Sequence, residues 1–215
     1  MSDAVQALLR ERAIGRLARR TISEAVLASW ERCLHSGIEP SGAVPRRVRE
    51  GDWDARVVAA ASRIVAQRRS HIEGADVCVS VTDPDGVILR QWSGTGRVPD
   101  TMRRLDIVPG FRGDEGTIGT SSASTLVTGR PLLVQGPEHF ASQFSSLTSA
   151  GMVIRHPARR SVEGTLNLTC RFADTTPLAL AWVCEMVTEI ERVLLQDATR
   201  AEHMLMERFL SSGRD

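Results

Sequence analysis

The first fifty residues carry apolar positions at helical spacing in two stretches. The first stretch covers residues 3–20 and places Arg on many of its other positions. The second covers residues 21–37. It opens with the capping-box pattern Thr-Ile-Ser-Glu, and Gly37 is typical of a helix end. Its apolar stripe needs a partner, which we expect to be the C-terminal helix or a second copy of the chain. The stripe consists of Ile22, Val26, Leu27, Trp30 and Leu34.

Residues 39–52 contain two prolines and predict a linker. Asp52 then caps a predicted helix over about 53–72, which Gly74 closes. Two hairpins follow. The first hairpin joins the strands DVCVSVT and GVILRQW through the turn DPDG. The second hairpin joins SAGMVIRHP and VEGTLNLTCRF through ARRS. We interpret both faces of VCVSV and GTLNLTC as apolar, so the pattern does not say which face lines a pocket.

The segment between the hairpins predicts a short helix near 100–105, then a mixture of strand and helix over 117–135. GPEHFASQFSSL indicates a short helix or an ordered loop. The order of elements predicts an α+β fold. It would have a mostly antiparallel sheet of five to six strands flanked by helices, an N-terminal helical extension and a long C-terminal helix.

The C-terminal helix is predicted from Pro177 onward, because no Gly or Pro follows until Gly213. Four apolar residues recur at four-three-four spacing, which indicates a short coiled-coil seam and therefore a homodimer. A single amphipathic helix that packs on its own domain is the alternative. The seam residues are Val183, Val187, Ile190 and Leu194.

Composition narrows the class of protein. The chain has 215 residues, a formal net charge of +1 and a 42% apolar content, which suits one domain with helical extensions. This charge gives no general attraction to nucleic acid or to anionic membranes. The charged N-terminus does not resemble a signal peptide, and no apolar run reaches the ~20 residues of a membrane helix. We therefore expect a cytoplasmic protein without membrane contact.

Several stretches carry a more specific signal: SWERCLHSGIEP, PGF at 109–111, IGTSSA at 118–123, RPLLVQGPEHF at 130–140 and the hairpin IRHP…RSVEGTLNLTC. Together they resemble, over roughly residues 21–195, bacterial transcriptional regulators of the acetoin-catabolism-regulator type. These are sigma-54-activator-like proteins with a Fis-type helix-turn-helix. The resemblance implies a GAF domain that senses a metabolite and controls transcription. In that family the GAF domain precedes an AAA+ domain or a C-terminal helix-turn-helix along the chain.

The chain departs from that family at two places. Only RGDEGT, 112–117, separates Phe111 from Ile118, and the family's Asn is missing there. The family's Asp in the last strand is replaced by Asn167. The ligand therefore cannot be carried over as acetoin. The sequence also lacks GxxxxGK[ST] and a DNA-binding module, so we expect a piece of a longer regulator that contacts DNA only through a missing C-terminal domain.

We divide the chain into an N-terminal extension and linker (1–50), a GAF-like sensor domain (51–175) and a C-terminal signalling and dimerisation helix (176–215). A small-molecule effector is expected between the sheet and the loops of 111–145. His139 would either donate to the ligand or satisfy a nearby backbone carbonyl. Plain core packing is the alternative for the apolar candidates. The candidate ligand-binding residues are Trp92, Phe111, Ile118, Thr120, Ser121, His139, Phe140, Phe144 and Met152.

Enzymatic and metal chemistry find little support in the sequence. No nucleophile motif is present, and Cys33 and His35 are the only close Cys/His pair, so we predict no catalytic residue and no metal site. No cofactor is identified, and haem held by a lone His or Cys remains open. A cysteine-based redox sensor, or an enzyme like methionine sulfoxide reductase, is the alternative function, with Cys78 and Cys170 as the pair. A purely structural dimerisation module is a third.

Overall fold

A five-stranded antiparallel sheet lies at the centre of the structure, a computed structural model that describes residues 22–48 and 55–212. The sheet order is β3-β2-β7-β6-β5, so the long hairpin β6–β7 occupies its middle. Both predicted hairpins and the α+β class are confirmed. The five strands are β2 (Val77–Thr82), β3 (Ile88–Ser93), β5 (Leu132–Gln135), β6 (Leu147–Arg155) and β7 (Val162–Arg171).

The remaining elements of the described residues are seven α-helices, several short 3₁₀ helices and one small strand pair. The predicted linker contains β1, which pairs with β4. The predicted helix over 53–72 is two helices, α2 and α3, and the predicted helix over 3–20 lies outside the described residues. The elements are α1 (Glu24–His35), β1 (Arg46–Arg47), α2 (Ala55–Gln67), α3 (Arg69–Glu73), α4 (Arg97–Arg104), β4 (Phe111–Arg112), α5 (Glu115–Ile118), α6 (Thr125–Thr128) and α7 (Leu178–Ser212).

The first hairpin turns where the DPDG sequence predicts. The Asp83 N–H donates to the Val87 carbonyl at 2.9 Å, and the Gly86 N–H donates to the Asp83 carbonyl at 3.1 Å. Gly86 has φ 78°, a left-handed conformation that glycine adopts without steric cost. A Cβ at this position would also lie 2.7 Å from the Cβ of Asp114, so the turn is closely covered.

The two faces of the sheet differ in chemistry. One face is apolar and packs against α2 and α7 through residues such as Val79, Leu166 and Leu168. The opposite face carries short polar side chains, so the interpretation of both faces as apolar was wrong. Because side chains alternate along a strand, the sequence pattern polar-apolar-polar separates the two faces. The polar residues are Ser80 and Thr82 on β2, and Thr165, Asn167 and Thr169 on β7.

Helix α7 packs its predicted coiled-coil seam against its own chain. The seam residues are between 0% and 5% exposed and belong to the core between α7, α2 and the sheet. Arg68 and Glu189 add a two-pronged ion pair across this interface, with nitrogen–oxygen distances of 2.6 and 3.0 Å. The prediction that this seam forms a dimer interface was therefore wrong, and the alternative of packing on its own domain describes it.

Helix α1 begins two residues later than the capping box at Thr21 suggests. Ser23 is the N-cap, and its hydroxyl accepts a hydrogen bond from the Val26 N–H at 3.3 Å. The helix ends at His35, and Gly37 follows with φ 72°, as the helix-stop signal predicts.

The partner of α1 is the edge of its own sheet, which corrects the expectation of a C-terminal helix or a second copy. Val26 and Trp30, both fully buried, pack against Leu132, Val134 and Phe140. The indole N–H of Trp30 donates to the Glu138 carbonyl at 2.8 Å. Both α1 and α7 therefore pack on the sheet, while the division of the chain at residues 50 and 175 stays a prediction.

Replacing Ile190 by Ala tests whether the α7 seam serves the core of one chain. We expect the free energy of unfolding to fall by about 2–5 kcal/mol, because a fully buried side chain leaves a cavity. Denaturant unfolding at two protein concentrations measures this loss, which should not depend on concentration. Thr188→Ala, at an exposed position of the same helix, is the control and should change stability far less. If Ile190→Ala weakened dimerisation but left the free energy of unfolding of the monomer unchanged, the assignment of the seam to the core of one chain would be contradicted.

Candidate ligand cavity

A cavity lies between the polar face of the sheet and the segments that cover it. Its volume is about 60 Å³, counted as positions open to the centre of a water molecule. This space admits ordered water or a small molecule. The sheet forms the floor of the cavity with the polar residues Ser80, Thr82, Ser149, Asn167 and Thr169 and the apolar residues Ile88 and Leu147. The apolar residues of the cover are Met102, Ile107, Ile118 and Phe144.

A chain of hydrogen bonds runs along the floor and orients the Asn167 amide. The Thr82 hydroxyl donates to the Asp83 carbonyl at 3.0 Å, and the Thr82 and Thr165 hydroxyl oxygens lie 2.8 Å apart. Because Thr82 uses its only proton on Asp83, Thr165 donates to Thr82. The oxygen of Thr165 then accepts from Nδ2 of Asn167 at 2.8 Å. In this arrangement both threonine hydroxyls have an acceptor for their proton, and Oδ1 of Asn167 lies on the other side of the amide from Thr165.

Oδ1 of Asn167 is buried and accepts no hydrogen bond from any described residue. Asn167 is 5% exposed and lines the cavity. A buried acceptor without a donor costs about 1–3 kcal/mol of folding free energy. The amide lies close against Gly151, since a Cβ there would lie 2.6 Å from both Oδ1 and the Ser122 carbonyl oxygen.

His139 lies in the cavity wall with both ring nitrogens bonded to the protein. Nδ1 lies 3.0 Å from the Gly136 carbonyl oxygen and Nε2 lies 3.0 Å from the Ser149 hydroxyl. A carbonyl only accepts, so Nδ1 donates, and in the neutral ring Nε2 accepts from Ser149. Ser149 in turn accepts from the Ser122 N–H at 3.1 Å. Of the two interpretations of His139, the structure shows the one in which the ring satisfies a nearby backbone carbonyl.

A second polar cluster fastens α1 to the segment that covers the cavity. Both carboxylate oxygens of Glu115 bind Arg32, at 2.6 and 3.0 Å, and the Ser29 hydroxyl donates to the same carboxylate at 2.5 Å. Ser29 also lies 2.6 Å from the Thr120 hydroxyl. These bonds to Glu115 raise the pKa of Arg32 above its ordinary value. Glu115 is 6% exposed, so this ion pair holds a buried charge between α1 and α5.

The structure separates the nine candidate residues into four places. Ile118, Ser121, His139 and Phe144 line the cavity, and their contact with a ligand stays a prediction.

The other five candidates do not line the cavity, which corrects their placement. Thr120 and Phe140 face α1, since Thr120 bonds Ser29 and Phe140 packs beside Trp30. Trp92 and Met152 pack on the apolar face of the sheet, because strand alternation directs them to the α2–α7 side. Phe111 lies in β4 and pairs with Arg47.

Sequence reasoning missed the polar floor. Asn167 was noted only as a departure from a family, and Ser80, Thr82, Ser149 and Thr169 were not selected. The alternating pattern Thr-Leu-Asn-Leu-Thr of β7 contains the signal that would have found them.

The proposed cysteine pair is not compatible with the sheet. Cys78 is paired with Thr169, and Cys170 is paired with Val77, so the two cysteines are offset by one residue. Residues offset by one point to opposite faces, which prevents a bond between Cys78 and Cys170 without rearranging the sheet. Burial also raises the pKa of Cys78 to about 12 and raises that of Cys170. The redox alternative based on this pair is therefore wrong.

Two searches of the described residues bear on other chemistries. Within residues 22–48 and 55–212, no group of three or more His, Cys, Asp or Glu side chains is arranged to hold a metal ion. Among the helices in the same ranges, none combines the length and the apolar character that crossing a membrane requires.

Peroxide treatment tests the separation of the cysteines. We expect the folded chain to form no Cys78–Cys170 disulfide, because the side chains lie on opposite faces and the buried thiols remain protonated. Peptide mass spectrometry after alkylation measures the pairing, and a guanidinium-unfolded sample is the control in which all thiols react. Recovery of a Cys78–Cys170 peptide pair from folded protein would contradict the strand register.

Replacing Arg32 by Met tests the attachment of α1. We expect a loss of about 2–3 kcal/mol in the free energy of unfolding, because Glu115 remains buried without its cation. We expect a smaller loss of stability than for a fully buried ion pair, because the Arg32 side chain is 37% exposed. Adding Glu115→Gln should restore part of the loss. Arg69→Gln, which breaks the exposed pair with Glu73, is the control and should leave unfolding unchanged. Equal effects of Arg32→Met and Arg69→Gln would contradict a structural role for the cluster.

Comparison with known proteins shows that the chain is similar to the N-terminal part of transcriptional activators. It is 27% identical over 214 residues to the propane 2-monooxygenase operon transcriptional activator MimR of Mycolicibacterium smegmatis (strain ATCC 700084 / mc(2)155), with 99% of this chain and 37% of that protein covered. It is 25% identical over 213 residues to the protein of the same name from Mycolicibacterium goodii, with 99% and 36% covered. The chain thus spans little more than a third of the length of these relatives, which are activators of transcription and not enzymes.

A solved structure supports the fold. The crystal structure of the E. coli DhaR(N)–DhaL complex matches with a TM-score of 0.79 and 18% identity, covering 88% of this chain and 67% of that one. This likeness concerns the α+β architecture with its five-stranded sheet and long C-terminal helix. The family model described as the N-terminal domain of MimR matches residues 2–192. This chain belongs to the MimR N-terminal domain family.

Proposed function

We propose that this chain is the small-molecule-sensing domain of a bacterial transcriptional activator and that its fold is of the GAF type. The single observation that carries the proposal is the cavity between the polar face of the sheet and the segments that cover it. The relatives named as operon activators support the regulatory part. The polar and apolar halves of the cavity support the sensing part.

The cavity lining indicates an uncharged effector. Of the described residues that line it, none is Asp, Glu or Arg, and a buried charge without a partner is unfavourable. The small volume excludes large effectors unless the cover opens. We propose that Ile118, Ser121, His139 and Phe144 contact the effector from the cover and wall of the cavity.

The sheet offers a route from the cavity to α7. Strands β6 and β7 present Ser149 and Asn167 to the cavity on one face, and Ala150 and Leu168 to α7 on the other. An effector that favours one arrangement of the floor therefore biases the packing of α7. We propose that α7 carries this change toward a DNA-binding part that lies outside this chain.

The segment of α7 beyond the core suits a homodimer contact. Leu195, Met204 and Leu205 are 41%, 52% and 66% exposed, whereas the seam before them is buried. We propose that dimerisation uses this later segment, together with the N-terminal residues. The division into extension (1–50), sensor (51–175) and signalling helix (176–215) is part of the proposal, with α1 packed on the sensor.

Thermal unfolding with a panel of small molecules tests the sensing function. The panel contains short alcohols, hydroxyketones, aromatic acids and steroids. We expect short alcohols or hydroxyketones to raise the melting temperature, because a one-site ligand at 100 times its Kd adds about 2.7 kcal/mol to the free energy of unfolding. Steroids and aromatic acids should have no effect, since the first exceed the cavity and the second place a charge in it.

Ile118→Trp is the variant that tests the location of binding. The larger side chain should fill the cavity and abolish the shift, while Trp92→Phe, on the other face of the sheet, is the control and should preserve it. The absence of any shift across the panel, or a shift that survives Ile118→Trp, would contradict sensing at this cavity.

A further inference from the structure

We propose that Ser29 of α1 is a positioning residue for the cavity wall, so that effector binding and the docking of α1 on the domain favour each other. The inference rests on the proposed sensing function and adds a regulation of the same site. It gives the signal a second route, through α1, besides the one through α7. The juxtaposition that carries it is one buried hydroxyl of α1 that holds both ends of the turn whose middle lines the cavity.

This turn, residues 120–124, faces both the cavity and α1. Its middle residues, Ser121, Ser122 and Ala123, line the cavity. The residues at its two ends, Thr120 and Ser124, are fully buried, and their hydroxyls lie against α1. An effector that contacts the middle of the turn therefore contacts a segment that another helix holds in place.

A single side chain of α1 holds both ends. The hydroxyl oxygen of Ser29 lies 2.6 Å from that of Thr120 and 3.4 Å from that of Ser124. Because Ser29 donates its only proton to Glu115, its oxygen is left to accept from Thr120 and Ser124. Ser29 is 0% exposed, so these bonds form without competition from water.

The acceptor of the Ser29 proton is itself fixed by α1. Arg32, about one helical turn after Ser29, binds both oxygens of Glu115 at 2.6 and 3.0 Å. Glu115 is the first residue of α5, which leads into the turn. Since α1 supplies both Ser29 and Arg32, its release would remove the partners of the turn and of the buried carboxylate together.

The position of α1 places this second route apart from α7. Its partner Val134 on β5 is directly opposite Ser149 on β6, which lines the cavity, so α1 packs on the polar side of the sheet. Helix α7 packs on the apolar side. An effector that binds only the ordered turn favours docked α1 by the same factor by which docking favours binding. Couplings of this kind typically change affinity by about 5–150-fold.

Hydrogen exchange of the intact chain, with and without 2-propanol as a short alcohol, tests the coupling. At saturating 2-propanol the amides of α1 should exchange about fivefold more slowly, because release of α1 then requires loss of the bound alcohol. The amides of α3, which packs on the other face of the sheet through Ile72, are the internal control and should keep their rates.

Ser29→Ala removes the hydroxyl that holds the turn. We expect it to weaken 2-propanol binding about fivefold in an NMR titration, since fewer molecules have the turn in place. It should also remove the slowing of α1 exchange. Ile190→Val is the matched control, because it loosens the core on the other face without touching the turn, and it should keep the affinity. Arg32→Lys retains the cation and should bind the alcohol more tightly than Arg32→Met.

The outcomes separate this coupling from the sensing function. If 2-propanol binds but leaves α1 exchange unchanged, or if Ser29→Ala binds it as tightly as the unaltered chain, the coupling is overturned while sensing stands. Equal losses of affinity in Ser29→Ala and Ile190→Val would overturn the positioning role, since Ser29 would then act only through stability. If neither 2-propanol nor any other member of the unfolding panel binds, sensing fails and the coupling fails with it. Slower α1 exchange, together with weaker binding in Ser29→Ala but not in Ile190→Val, supports the proposal.

Discussion

The rest of the structure depends on the two-faced character of β7 and its neighbours. Alternate residues of β7 point to opposite sides, so one strand supplies Leu166 and Leu168 to a dry core and Asn167 and Thr169 to a polar cavity. The apolar side stabilises the sheet through α2 and α7. That stability allows the other side to keep an unsatisfied oxygen and empty space, both of which oppose folding.

The polar side is ordered by directional bonds and not by packing. Carbonyl oxygens at Asp83 and Gly136 can only accept, so each fixes the direction of a short series of donors, one ending at Asn167 and the other at Ser122. A floor of this kind is rigid even where no side chain fills the space above it. Recognition at such a floor would therefore require little reorganisation of the protein, which favours discrimination by hydrogen-bond type.

Much of the fold could be predicted from local sequence, because its signals are local. The DPDG turn, Gly37 after α1 and the uninterrupted stretch after Pro177 all specify backbone geometry within a few residues. The partners of amphipathic helices could not be predicted in this way. The spacing of Val183 and Val187 suits both a coiled coil and a sheet-packed helix, since both bury one stripe. The candidate site was only partly predicted. Residues of the covering loops were chosen as candidates, whereas the alternating polar residues of β2 and β7 were interpreted as part of apolar strands.

The buried ion pair between Arg32 and Glu115 has a consequence for how this domain can be moved between proteins. Because Glu115 begins the segment that covers the cavity, its charge is neutralised only when α1 is present. In an engineered biosensor that joined this domain to a foreign reporter, a boundary after His35 would leave an acidic group inside the cover. The transferable unit thus includes α1, although the sequence between α1 and the sheet looks like a place to cut.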